Sequence, residues 1–170
     1  DELRKNDGII PEKLRVELAI KAFSLITDYN STITNFLLSS YHPSEMFKPV
    51  MFKTYQKVSD LRYGENWDQR AAYYRDLASN YGLFDFKQLH GKDLSFNNYL
   101  DIDSCIQILL DFGIENHVTT IIKHTSPNGV AMDEQDQLIS VKKAFSTDPL
   151  SAFGGICGFN STLTEVVANY

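Results

Sequence analysis

Lys123 and His124 are the residues whose position in the sequence most strongly suggests chemistry. They follow the run from Val118 to Ile122, whose β-branched side chains are typical of a buried strand. In an open α/β sheet, ligands bind at the carboxyl ends of the strands, where this pair would lie. Histidine titrates near neutrality and can accept a proton from a weak nucleophile, while a lysine ammonium can stabilise a developing oxyanion or bind an anion. The alternative is a strand end that has only reached solvent.

Two other segments carry polar side chains that suit ligand binding. Arg62 and Tyr63 precede Gly64, which permits a tight turn, and the planar arginine fork fits a phosphate or a carboxylate. Asn97 and Asn98 offer both donors and acceptors, which suits an amide or a ribose. Each segment has a structural alternative, in which the arginine is a surface group and the asparagines only cap the following helix.

A pair of glycines and one further histidine complete the candidates. Gly154 and Gly155 would let backbone N–H groups approach an anion closely, although a plain turn between a helix and a strand would look the same. His90, which precedes Gly91, is either catalytic or a hydrogen-bonded turn residue. The sequence contains neither a phosphate-binding P-loop nor a dinucleotide fingerprint, and it lacks the zinc-deaminase signature.

Composition argues against several classes of protein. The 170 residues carry a net charge of −6, which disfavours nucleic acid as a partner. No apolar run approaches the roughly 20 residues that span a bilayer, so we expect no membrane partner. Cys105 and Cys157 are too few for a disulfide scaffold or a metal site, which indicates a reducing, cytoplasmic location. Because the chain begins at Asp1 rather than Met and ends at Tyr170 inside a helical pattern, we expect a piece of a longer protein.

The amino-terminal part of the chain predicts two helices. The first begins at Pro11 and is amphipathic, with a buried stripe at helical spacing. The residues of this stripe are Leu14, Leu18, Ala22 and Ile26. Asn30 or Ser31 would cap the second helix. The prolines within residues 41–49 then interrupt the pattern and mark the predicted boundary.

The remainder of the chain alternates between strand and helix patterns after residue 85, which predicts an α/β layer fold. The expected elements are an extended segment over 51–63, a turn over 64–70, a stretch over 71–81 that is either helical or extended, a short strand over 87–90, a loop over 91–98, a helix capped by Asp101 or Asp103 and ended by Gly113, the buried strand over 118–122, a turn at 127–129, a helix from Asp133, a strand over 156–159 and a last helix capped by Ser161 or Thr162.

Four longer motifs resemble the transformylase part of the bifunctional AICAR transformylase/IMP cyclohydrolase family. They run from Leu61 to Asn66, from Gln88 to Asn98, from Ile122 to Ala131 and from Thr147 to Gly155. The resemblance covers about residues 58–170, and the helices of residues 11–40 are similar to the last helices of the cyclohydrolase domain. It implies a helical segment over 1–45, followed over 46–170 by a first, incomplete unit of the transformylase domain. That unit would be a three-layer α/β/α, cytidine-deaminase-like fold without zinc.

The resemblance also implies a reaction. A formyl group would pass from 10-formyltetrahydrofolate to the 5-amino group of AICAR, an imidazole ribonucleotide, during purine biosynthesis. His124 would be the general base, and Lys123 the neighbouring cation that stabilises the tetrahedral intermediate or assists the folate leaving group. The nucleotide-binding residues that the resemblance implies are Arg62, with its guanidinium on the 5′-phosphate, Tyr63, Asn98 and Gly154.

Two adjacent positions depart from the family pattern, and one alternative function stays open. After Asn66 the family has Pro-His-Gln, whereas this chain has Trp67 and Asp68 before Gln69, so a carboxylate replaces an imidazole. The family site lies at a homodimer interface and draws on two repeats, which implies a homodimer here. The alternative is a catalytically incomplete module that binds nucleotide or serves as an assembly surface.

Overall fold

The computed structural model describes residues 2–79, 83 and 86–170. The chain divides into two compact units, one made of the described residues of 1–57 and 74–82, the other of those of 58–73 and 83–170. All the predicted site residues lie in the second unit. The domain boundary predicted between residues 45 and 46 stays a prediction.

The first unit contains a short helix, α1 (Glu2–Lys5), and a helix of 30 residues, α2 (Glu12–Tyr41). The prediction of a second helix capped at Asn30 or Ser31 is wrong, because α2 continues without interruption. No glycine or proline occurs between its ends, and the Ser31 hydroxyl donates to the carbonyl of Thr27 one turn earlier instead of capping. The helix ends at Tyr41, where the sequence predicted a break.

The predicted buried stripe of this helix is also wrong. None of the residues of α2 is buried, and both Leu18 and Ile26 are 52% exposed. Apolar residues occur around the helix rather than on one side, since Ile20, Phe23 and Leu25 are exposed as well. The spacing of the apolar residues correctly predicted a helix, but no described residue packs against its apolar side chains closely enough to bury them.

Two short strands follow and pair with each other: β1 (Tyr55–Asp60) and β2 (Ala72–Asp76). The first confirms the predicted extended segment of 51–63 over residues 55–60, and the second shows that residues 72–76 of the ambiguous stretch over 71–81 are extended. Residues 80 and 81 of that stretch lie outside the described residues. Between the strands, Gly64 N–H donates to the carbonyl of Gln69 at 2.9 Å and closes the predicted turn.

The core of the second unit is a three-stranded antiparallel sheet with the order β4-β3-β5. Its strands are β3 (His117–Lys123), β4 (Ser126–Asp133) and β5 (Ile156–Phe159). The central strand β3 is buried from Val118 to Ile122, which confirms the prediction for this run. The outer strands run opposite to it, so the carboxyl end of β3 meets the amino ends of β4 and β5.

A helix packs on each face of this sheet. These are α3 (Phe96–Phe112) and α4 (Gln137–Thr147), and both contact the central strand. Thr119 and Ser140 of α4 share a buried hydrogen bond of 2.7 Å, whereas Gly158 of β5 lies against Cys105 of α3. Successive residues of a strand face opposite sides, so these contacts place α4 on one face and α3 on the other. Mixed helix and strand content with small sheets agrees with the α/β class expected from the sequence.

The two short helices of the second unit complete the described fold. They are α5 (Pro149–Ala152), which follows the predicted break at Asp148 and Pro149, and α6 (Glu165–Asn169). Thr164 caps α6, accepting from Val167 N–H, so the predicted caps at Ser161 or Thr162 are wrong. The Thr164 N–H donates to the side-chain oxygen of Gln137, and this contact fixes Thr164 at the position from which α6 begins.

Side-chain hydrogen bonds explain why three predictions for residues 87–103 are wrong: the cap of α3, the strand over 87–90 and the end of the loop over 91–98. Ser95, rather than Asp101 or Asp103, caps α3, because Ser95 forms a capping box with Asn98. Residues 87–90 are not a strand, since the Gln88 side chain donates to the carbonyls of His90 and Lys92 and curls the chain. The expected loop over 91–98 therefore ends at Ser95.

Asp133 ends strand β4 instead of beginning a helix. Its carboxylate accepts from the N–H groups of Gln135 and Asp136 and from the Lys143 ammonium, and these contacts lower the pKa of Asp133 to about 2. Asp136 then caps α4 by accepting from Leu138 N–H.

The turn predicted at residues 127–129 is wrong as well, because those residues belong to β4. The chain reverses earlier, at His124 and Thr125, and Asn128 is the extra residue of a β-bulge opposite Ile121 and Ile122. No helix in the described part of the chain is long and apolar enough to cross a membrane.

Candidate functional site

The turn between β3 and β4 carries Lys123 and His124, the pair that the sequence singled out. Lys123 pairs with Ser126, so only His124 and Thr125 form the hairpin loop. Both have positive φ angles, 94° at His124 and 62° at Thr125, as the type I′ hairpin turn requires of its two central residues. Glycine and asparagine are the usual residues there. In a non-glycine residue this conformation costs on the order of 1 kcal/mol, and it is least expected for a β-branched threonine.

Asp101 of helix α3 holds this strained turn. One oxygen of its carboxylate, Oδ1, accepts from the backbone N–H of His124 at 3.1 Å and from that of Thr125 at 2.7 Å. Both donors bond to a charged acceptor, and such hydrogen bonds are stronger than those between neutral groups. Sequence reasoning assigned Asp101 to a helix cap and missed this contact. Its partner is 23 positions away, and no local pattern connects them.

Lys123 is held on the other side of the turn. Its ammonium donates to the carbonyl of Phe153 at 2.9 Å, in the loop that precedes β5. The next residue, Gly154, has a φ of +77°, a backbone conformation that favours glycine. A Cβ at this position would meet nothing within 4 Å, so the backbone conformation and not a lack of space accounts for the glycine. The following Gly155 is required by space, because its Cβ would lie 2.8 Å from the carbonyl oxygen of Ile122. The structure therefore brings Lys123, His124 and Gly154 to one end of the sheet.

A second group of candidates lies where Arg62 and Tyr63 meet the start of α3. The Arg62 guanidinium lies 4.8 Å from the centre of the Tyr63 ring and donates to the Tyr63 hydroxyl at 3.1 Å. The nearby Ser95 hydroxyl and the Arg62 guanidinium lower the pKa of Tyr63 below its usual value. Backbone bonds from Arg62 N–H to Leu94 and from Phe96 N–H to Tyr63 fix this segment beside the helix start.

Asn98 has its oxygen engaged in the helix cap. Its Oδ1 accepts from the backbone N–H of Ser95 at 3.0 Å and from the Ser95 hydroxyl at 2.9 Å. The neighbouring Asn97 donates its amide to the carbonyl of Glu65 at 3.1 Å. Capping, one of the two interpretations left open by the sequence, is therefore present. Among the described residues no partner accepts from the Asn98 amide nitrogen.

Arg62 and Asn98 border one open cleft of about 700 Å³. Residues 86–94, including His90, form much of its wall, and Ile156 of β5 forms the remainder. Ile156 pairs with Ile122, directly before Lys123, so the cleft reaches the strand next to the one that carries Lys123. Of the described candidates, Lys123, His124, Tyr63 and Gly154 do not line the cleft itself.

Helix α3 connects the two groups of candidates. Ser95, Asn98 and Asp101 are spaced three residues apart, so they lie along one side of the first helical turns. Ser95 and Asn98 border the segment of Arg62, and Asp101 holds the turn of His124. One short helical stretch therefore sets the distance between the two groups.

The residues that depart from the family pattern lie on the turn between β1 and β2. Trp67 is 85% exposed, and Asp68 beside it is exposed as well. The turn is closed by Gln69, whose side chain accepts from Asn66 N–H at 3.0 Å. A Cβ on Gly64 would lie 2.9 Å from the Gln69 Cβ, so the glycine serves close packing in this turn.

The described residues contain no group of three or more His, Cys, Asp or Glu side chains placed to hold a metal ion. A family model described as the AICARFT/IMPCHase bienzyme matches residues 1–170. Its members are bifunctional enzymes of purine biosynthesis, which agrees with the four sequence motifs and their order along the chain. Because the match extends over all 170 residues, the chain belongs to the AICARFT/IMPCHase bienzyme family.

Proposed function

We propose that this chain carries residues of an AICAR transformylase site. The reaction is the transfer of the formyl group of 10-formyltetrahydrofolate to the 5-amino group of AICAR in purine biosynthesis. The observation that carries this proposal is the constrained turn in which His124 follows Lys123, at the end of the central strand and within a motif of the family. The Lys123 ammonium donates to the carbonyl of Phe153, and the backbone N–H of His124 donates to Asp101, so the pair does not lie at a frayed strand end.

In the proposed mechanism the amine nitrogen of AICAR attacks the formyl carbon, and His124 accepts the proton that this nitrogen loses. Lys123 stabilises the negative charge on the oxygen of the tetrahedral intermediate. The bond between the formyl carbon and N10 of the folate then breaks. The proton is delivered to that nitrogen, so tetrahydrofolate leaves as a neutral amine.

The nucleotide is assigned to the second group of residues and to Gly154, which lies at the end of the sheet near Lys123. Arg62 binds the 5′-phosphate through its planar fork, and Tyr63, Asn98 and Gly154 contact the remainder of the nucleotide. The open cleft beside Arg62 and Asn98 is large enough for a small ligand and supports this assignment. By the same resemblance, we propose a cytoplasmic homodimer and a cytidine-deaminase-like arrangement that works without zinc.

A catalytically incomplete module that binds nucleotide or serves as an assembly surface is the second candidate. It is favoured by helix α2, none of whose residues is buried although many are apolar. Extended apolar surface of this kind marks interaction sites. The two candidates differ on turnover, which only the first predicts.

The proposed function is tested by replacing His124 in the full-length protein. His124→Ala should lower the rate of formyl transfer by about 100-fold or more, the usual scale for loss of a general base, with a smaller change in AICAR affinity. His117→Asn is the matched control, because His117 lies at the opposite end of the same strand and an asparagine can preserve its contact with Ser161. Near-normal turnover in His124→Ala would remove His124 from the mechanism.

A further inference from the structure

Asp101 stands out because it belongs to helix α3 but forms its hydrogen bonds with the hairpin loop between β3 and β4. It belongs to α3, yet it caps nothing in that helix, whose start is already satisfied by Ser95 and Asn98. Its carboxylate reaches instead to the hairpin loop and accepts from both of the loop's backbone N–H groups. A carboxylate so placed stabilises one particular backbone conformation of His124 and Thr125.

That conformation is one the two residues would not adopt by preference. Two-residue hairpin loops with positive φ at both positions favour Asn-Gly or Gly-Gly, and this loop has His-Thr. The Thr125 hydroxyl adds a hydrogen bond to the carbonyl of His124 at 2.6 Å, but this contact is local to the loop. Only Asp101 joins the N–H groups of the loop to a rigid element among the described residues.

We propose that Asp101 is a positioning residue: by binding the N–H groups of His124 and Thr125, it keeps the hairpin loop in the left-handed conformation that directs the His124 imidazole. This proposal rests on the proposed function for its catalytic consequence, but the conformational part stands without it. Because Asn98 lies one turn earlier on α3, the same helix also fixes the loop relative to the cleft beside Arg62.

The catalytic consequence is measured with variants of the full-length protein. Asp101→Ala should lower kcat by about tenfold or more, since it removes two charge-assisted hydrogen bonds from the loop, while AICAR affinity changes by less than about threefold. Asp101→Asn retains an oxygen at the same position and should recover most of kcat. Asp103→Ala is the matched control, because Asp103 is an exposed carboxylate on the same helix.

Two double variants separate positioning from general destabilisation. In a His124→Ala background, Asp101→Ala should cost no further activity, because the residue through which Asp101 acts is already absent. Thr125→Gly should restore part of the kcat of Asp101→Ala, because glycine adopts positive φ without strain. Equal losses from Asp101→Ala with and without His124, or the absence of rescue by Thr125→Gly, would overturn the proposal.

A readout independent of turnover distinguishes failure of this proposal from failure of the proposed function. In Asp101→Ala the backbone amides of His124 and Thr125 should exchange with solvent about tenfold faster, as measured by NMR, while the amides of Thr119 and Thr120 keep their protection. Unchanged exchange at the loop would overturn the positioning role. A wild-type protein that transfers no formyl group but shows the faster loop exchange in Asp101→Ala would overturn the proposed function alone.

Discussion

Arg62 has most of its hydrogen-bonding capacity available. Its guanidinium donates one bond to the Tyr63 hydroxyl and packs over the same ring, and the described residues accept no other bond from it. The contact with Tyr63 orients the planar group, and a guanidinium offers five donors in a fixed fork. An oriented fork with free donors beside an open cleft is well suited to a phosphate.

We therefore expect Arg62→Lys to weaken AICAR binding by about tenfold, because lysine keeps the charge but loses the bidentate geometry and the packing on Tyr63. Folate binding should stay within about threefold of wild type, because the substitution keeps the charge and lies in the proposed nucleotide site. Titration calorimetry with each ligand measures both effects. Arg70→Lys, on the same exposed turn, is the control, and equal AICAR affinity in Arg62→Lys and wild type would contradict the phosphate assignment.

At this scale the sequence located some residues and missed others for a physical reason. The position of Lys123 and His124 at a strand end was predicted correctly, because the β-branched run before them indicates a strand. Asp101 was assigned to a cap because an aspartate near a helix start is normally read that way. Its actual role depends on the position of the hairpin loop, and the local pattern favoured Pro127 to Gly129 over His124 and Thr125 for that turn.

The contact between sheet and helix α3 is closest at Gly158. A Cβ on this residue would overlap the Sγ atom of Cys105 and would lie 3.1 Å from Leu109 and 3.2 Å from Thr120. Cys105 is buried, and burial raises the pKa of its thiol to about 11, so it acts here as an apolar packing group. The strand can approach the helix this closely only because residue 158 has no side chain.

Gly158→Ala should therefore destabilise the protein by about 1–3 kcal/mol, the usual cost of overpacking a core, as measured by urea denaturation. The cost should shrink in a Cys105→Ala background, where the sulfur that meets the new methyl group is gone. If Gly158→Ala cost the same in both backgrounds, the contact with Cys105 would not be its cause.

Helices and strands were predictable where a short stretch of sequence carries one strong local signal. Strand β3 follows from its β-branched run, and the end of α3 follows from Gly113. Strand β4 was missed because Pro127, Asn128 and Gly129 are typical turn residues. They are tolerated in an edge strand that carries a bulge, and Gly129 is needed because the carbonyl of Ala144 occupies the space a Cβ would take.

For the molecule as a whole, helix α2 shows the limit of reading burial from a pattern. Its helical spacing predicted the helix, and the same spacing predicted a buried stripe that the described residues do not provide. Amphipathic periodicity indicates which side chains are apolar on one face of a helix, but it does not identify the residues that pack against that face. Both candidate functions therefore remain compatible with this part of the chain, and turnover decides between them.

We expect a purified polypeptide of residues 1–170 to bind AICAR without sustained formyl transfer. The candidate groups for the nucleotide and for proton transfer are present, and the proposed transformylase site would draw in addition on a second repeat and on a partner subunit. Transfer requires both substrates to be held with their reacting atoms within about 3–3.5 Å. An assay with this polypeptide, beside the full-length protein as control, measures the difference. Turnover comparable with that of the full-length protein would show that these 170 residues hold a complete site.

The two strand pairs of the antiparallel sheet differ in how far apart their partners lie along the chain. Lys123 pairs with Ser126 three positions later, whereas Thr119 pairs with Phe159 forty positions later. Closing a loop costs more entropy as the loop lengthens, by about 0.6 kcal/mol for each doubling. The hairpin that carries His124 is therefore the part of the sheet whose assembly requires the least ordering of chain. The positive φ angles of His124 and Thr125 cost conformational free energy that offsets part of that advantage.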